Sequence, residues 1–126
     1  MRAIDTNVLV RLVARDDPAQ EGAAERFVEG GAWVSILALA ETAWVLAKTY
    51  GCSASEIGAT IEALIGHRSL VLEDADAVAA ALELFRKRPA LGFSDCLMLE
   101  LARKAGHLPL GTFDRALGKA EGAQRL

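Results

Sequence analysis

Apolar positions in this chain alternate between short dense runs and longer stretches in which they recur every three or four residues, the signature of strands interleaved with helices. Ala3-Ile4 reads as a very short strand, followed by a helix over about 7–14. Pro18 stands where the first turn of a second helix would begin, running to about residue 29 before Gly30-Gly31 stops it. "AWVSI" (32–36) is a buried strand and 37–50 a helix ended by Gly51. Ser53 with Glu56 three residues later is a capping-box pattern, opening a helix to about residue 66. "SLVLE" (69–73) is a third strand, and 74–88 an Ala/Leu-rich helix closed by Pro89. A helix over 94–104 ends at Gly106, "HLPLGTF" (107–113) is a fourth strand, and 114–119 a short last helix. The tail "GAQRL" adds one more extended edge.

Short apolar strands joined through helices require crossover connections, and hence a mostly parallel sheet covered on both faces. The expected architecture is a three-layer α/β/α sandwich with a small, mostly parallel sheet, formed as one domain over residues 1–126, with the first strand near the centre. No repeat, low-complexity tract or linker interrupts it.

Composition changes this picture little. At 126 residues and 52% hydrophobic, the chain can bury about two-thirds of its unfolded surface and needs no staple. A net charge of −3 and a pI near 5.4 do not advertise a nucleic-acid binder, although a basic rim around an acidic centre would be compatible with that balance. Cys52 and Cys96 are far apart and in no CxxC pattern, and no secretory signal is evident, so reduced thiols in a cytoplasmic protein are expected. No apolar run approaches the ~18 residues of a membrane span, because Glu41 interrupts the longest. Trp33 and Trp44 read as core, and His67 and His107 as surface residues flanking turns. Neither the GxxxxGK[ST] nor the GxGxxG spacing is present.

Four acids remain. Asp5 follows the first strand and Asp114 the fourth, and sites in open parallel sheets form beyond the carboxyl ends of strands. Each also suits a helix cap, and Asp95 suits a first turn, where the helix dipole favours negative charge. Glu41 is sharper: Leu37, Glu41 and Trp44 share one helical stripe, so its charge is expected among apolar neighbours, as is that of Asp95 beside Met98, Leu99 and Ala102. Converging carboxylates repel by about 4 kcal/mol at ~4 Å and an effective dielectric near 20, which a cation would relieve. Oxygen ligands without His or Cys favour Mg²⁺ or Mn²⁺, an ion that completes its shell with water and phosphate oxygens.

"IDTNVLV" at the start, "SILALAE" (35–41), "FSDCLMLELA" (93–102) and "LGTFDRAL" (110–117) together resemble the PIN-domain family, in its order and over the whole chain. Among its members, a short stand-alone chain is most similar to the VapC-type toxin ribonucleases of bacterial toxin–antitoxin pairs. The resemblance implies an α/β/α sandwich and metal-dependent endonucleolytic cleavage of RNA. It also implies an acidic quartet of Asp5, Glu41, Asp95 and Asp114, with Asp5 and Asp95 as direct metal ligands. Thr6, Asn7 and Thr112 fall at its supporting polar positions. It further implies a homodimer and a cognate antitoxin whose segment fills a groove, for which Phe27 and Trp44 are apolar candidates. Arg11, Arg15, Arg86, Lys87, Arg88, Arg103 and Arg115 lie near the motifs, as phosphate contacts or as an ordinary solvated face. Two rivals stand beside this reading. Asp5 as a phosphoryl-accepting nucleophile would call for a second Asp where Asn7 stands, and a non-catalytic partner-binding domain would not need four intact acids.

Overall fold

The computed structural model describes all 126 residues, with strands β1 (Arg2–Ile4), β2 (Ala32–Val34), β3 (Leu70–Leu72), β4 (Leu110–Thr112) and β5 (Ala123–Arg125). The helices are α1 (Thr6–Ala14), α2 (Pro18–Val28), α3 (Ile36–Lys48), α4 (Ala54–Ile65), α5 (Ala75–Lys87) and α6 (Phe93–Ala105). Six helices and two small, wholly parallel sheets are the content of a PIN-like α/β sandwich. The chain divides into two compact units, Met1–Ala75 and Asp76–Leu126.

In the first unit β1, β2 and β3 pair in parallel in that order, so β2 is the middle strand. The first strand is therefore an edge of its sheet and not its centre. Ile4 pairs with Val34 and Val34 with Leu72, and all three are buried, so one face of the sheet is apolar at its carboxyl end. α1 packs on α2 and α3, and α4 on α3 and β3. Caps fix where these helices begin. Asp17 accepts from the Gln20 amide, Ser35 from Ala38, and Ser53 and Glu56 form the expected reciprocal capping box.

α3 is apolar around most of its circumference, and the stripe it buries is Ala38, Leu39, Thr42, Ala43 and Leu46. The stripe carrying Leu37, Glu41 and Trp44 faces out, with Trp44 59% exposed. Two expectations fail here: Trp44 is not core, and Glu41 is not buried among apolar neighbours. A helix with two apolar stripes gives periodicity no means of choosing between them. Trp33 is half-buried, and Phe27 is half-buried beneath the Arg2 guanidinium, 3.9 Å above its ring.

In the second unit β4 pairs with β5, a separate two-stranded sheet in which the "GAQRL" tail supplies the partner. The expected last helix is reduced to a 3-10 turn over Leu117–Lys119. The core of this unit gathers Val78, Ala81, Phe85, Phe93, Cys96, Leu97 and Leu99, and the rings of Phe85 and Phe93 meet edge to face at 6.0 Å. Gly106 ends α6 with a left-handed backbone (φ 83°), a conformation that costs glycine nothing. Cys52 and Cys96 are free thiols, and no helix is long and apolar enough to cross a membrane.

Candidate active site

Asp5 leaves β1 with an extended backbone, and its carboxylate caps α1 by accepting from the Val8 amide at 3.0 Å. The next residue, Thr6, donates its hydroxyl to Glu41 Oε1 at 2.8 Å, a bond that the packing of α1 on α3 makes available. Asp5, Thr6 and Glu41 are thus linked through one turn of backbone and one hydrogen bond. Asn7 is exposed and takes no part in this hydrogen bonding. Glu73, an acid the sequence does not single out, follows β3 directly and accepts from the Ile36 amide at 2.8 Å, at the start of the helix that carries Glu41. Its signal was the one that marked Asp5, a carboxylate directly after a strand.

In the second unit Asp95 lies in the first turn of α6, whose cap, Gly92, has no side chain to offer the free amides. The Asp95 carboxyl is half-buried and its pKa is raised, first by burial and then by the negative charge of Asp114. Asp114 follows β4 after Phe113. Its carboxylate accepts from the Leu117 amide at 2.8 Å, and its own amide donates to Thr112 Oγ1 at 3.0 Å. Thr112 is held in turn by β5, because the Leu126 amide donates to the Thr112 carbonyl at 2.8 Å. The ten residues 113–122 make a short crossover for a parallel pair, and at Gly118 it passes so close to β5 that an added Cβ would lie 2.6 Å from Arg125 Cβ.

Several cations of the chain are engaged with partners other than these four acids. Arg11 bonds to Gln20, Asp16 and Tyr50, Arg15 to Glu21 and Glu25, Lys87 to Glu83, and Arg103 to Glu100 and the Glu121 carbonyl. Arg88 reaches the Ala116 carbonyl. Cys96, beside Asp95, is buried, and its thiol is pushed up to about 11 by burial and then by the charges of Asp95 and Glu100, so it stays protonated at neutral pH.

The acids supply only oxygen ligands, and the raised pKa of Asp95 registers burial first and the negative charge of Asp114 second. That donor chemistry fits a hard divalent cation. No three His, Cys, Asp or Glu side chains are placed to hold a metal ion by themselves.

Among models of known families, the one described as "PIN domain" matches residues 3–123. Searches of curated proteins and of solved structures returned no match.

Proposed function

Because the chain belongs to the PIN domain family, whose members are generally nucleases that use divalent metal ions, we propose that it is a Mg²⁺- or Mn²⁺-dependent endoribonuclease and the toxin of a toxin–antitoxin pair. The observation that carries the reading is the half-buried Asp95 carboxyl, whose pKa is raised by burial and then by the charge of Asp114, in a chain of nucleolytic lineage.

In the reaction proposed, the oxygen of water bonds to phosphorus and the bond from phosphorus to a sugar oxygen breaks. The bound cation would supply charge withdrawal from the phosphate and a lowered pKa for water. Asp5 and Asp95 would hold it. Thr6 keeps one Glu41 oxygen oriented, and the Leu117 amide does the same for Asp114. Glu41 or Asp114 is then the oxygen to which a water proton passes. Thr112 keeps the backbone of Asp114 in place. A homodimer and an antitoxin that blocks the site complete the proposal.

Asp5→Asn is the decisive variant, because Asn caps a helix as well as Asp does and only the charge is lost. Labelled RNA incubated with Mg²⁺ or Mn²⁺ should be cut internally by the natural chain and spared in EDTA. Asp5→Asn should lower the rate by at least about 100-fold with an unchanged melting temperature in EDTA. Cleavage that proceeds equally in EDTA, or in Asp5→Asn, rejects the proposal. Release of phosphate from a monoester without chain scission would favour Asp5 as a phosphoryl acceptor instead.

A further inference from the structure

Nine large hydrophobic side chains remain exposed: Met1, Leu37, Trp44, Tyr50, Val71, Met98, Leu108, Phe113 and Leu126. Met1 and Leu126 are terminal, and the Tyr50 hydroxyl is bonded to Asp16. Of the other six, four stand beside one of the acids. Leu37 and Trp44 are four residues before and three after Glu41 on α3, Met98 is three after Asp95 on α6, and Phe113 directly precedes Asp114. Residues three or four apart on a helix are surface neighbours. Phe113 is 80% exposed, and neither aromatic ring has a partner ring in the structure.

Leaving large apolar surface in water forfeits burial energy, and its concentration around carboxylates asks for a ligand that meets both. A flat apolar protein surface laid over Leu37 and Trp44 would also strip water from the Glu41 carboxylate between them, which has a single side-chain donor, Thr6. A planar heterocycle covers the face of one ring and leaves the carboxylate wetted. Its attached phosphate, with a cation, then lies where negative side chains are an asset.

We propose that Trp44 and Phe113 are stacking platforms for unpaired nucleobases of the RNA substrate, Trp44 beside Glu41 and Phe113 beside Asp114. The proposal rests on the ribonuclease reading above and adds to it the way the substrate is held. Bases inside a duplex already stack on one another and have no free face, so the platforms select strands whose bases can be splayed out. Stacking is tolerant of base identity, so these two residues contribute affinity and register more than sequence choice.

The test measures the affinity of a short fluorescein-labelled single-stranded RNA, and of the same sequence as a duplex, in the Asp5→Asn background to prevent cleavage. Trp44→Ala should weaken single-strand binding by about 5- to 150-fold, the range for loss of one aromatic–base stack, and Phe113→Ala should act in the same direction. Trp44→Tyr should restore most of the affinity and Trp44→Leu should not, since an aliphatic chain keeps the apolar area but not the π-face. Duplex binding should be unmoved. In the active protein, Trp44→Ala should raise KM by more than it lowers kcat. Rescue by Trp44→Leu, or a dimer that becomes a monomer in Trp44→Ala with single-strand and duplex binding equally reduced, would make a second copy of the chain the occupant and overturn the proposal. Cleavage with unchanged KM in both alanine variants would overturn it while leaving the ribonuclease reading standing. A natural chain that neither binds nor cuts RNA would overturn both.

Discussion

Asp95 is the most informative single residue in the chain. Its carboxyl titrates above the ordinary range because burial and Asp114 both disfavour the charged form. In the unfolded chain neither influence survives, so the folded state binds this proton more tightly. The metal-free protein is therefore penalised above the raised pKa, and the penalty fades as pH falls through it toward the unfolded value. Asp95→Asn should raise the melting temperature in EDTA at pH 7, and thermal melts repeated at decreasing pH should show the gain shrinking once Asp95 itself takes up a proton. A gain independent of pH would show that the charge is not its source. At this scale the sequence was both legible and misleading. Asp5 does cap a helix, and Asp114 takes an amide bond from the turn that follows it, so local hydrogen bonding and chemistry need not compete for one side chain. Glu41 was singled out for burial it does not have, because a one-dimensional stripe carries no sign saying which side meets the core.

Helices were the most legible elements, since their ends are written in local chemistry. Pro18, the Ser53–Glu56 box and Gly106 placed three boundaries within a residue or so, each through a bond or a backbone angle that involves only neighbours. Ser53→Ala should destabilise the fold by about 1 kcal/mol, the usual cost of losing a side-chain cap, measurable as a lower urea midpoint with an unchanged slope. A loss near zero would mean that the α4 amide finds another acceptor. Strands were legible as strands but not as partners. Nothing in "HLPLGTF" announces that it pairs with the tail, because pairing is a long-range choice decided by register and by what the crossover allows. For the same reason the first strand was placed at the centre of a sheet of which it forms an edge.

For the molecule as a whole, the legible part was the class: strands too short to stand alone, alternating with helices, leave little besides a small parallel α/β arrangement. Whole-molecule stability supplies a test of cation binding that needs no substrate. If a divalent ion binds the folded chain and not the unfolded one, Mn²⁺ at a hundredfold excess over its Kd adds about 2.7 kcal/mol. Melting should then rise by several degrees, EDTA should reverse it, and Asp95→Asn should lose much of the response. A melting temperature indifferent to millimolar Mn²⁺ would count directly against carboxylate-held metal.

Gly118 offers the four acids no side chain, and although its amide donates to the Asp114 carbonyl at 3.0 Å, it is its bare Cα that lets the crossover run beside Arg125 and keeps β5 against β4. A methyl group there would press on backbone-proximal atoms of the strand that holds Thr112, and through Thr112 on Asp114. In a screen for inactive variants, this glycine would therefore collect inactivating alleles as an acid of the site does. A map of function drawn from genetics alone would then enrol a residue that brings no side chain to the site and serves by taking up no room.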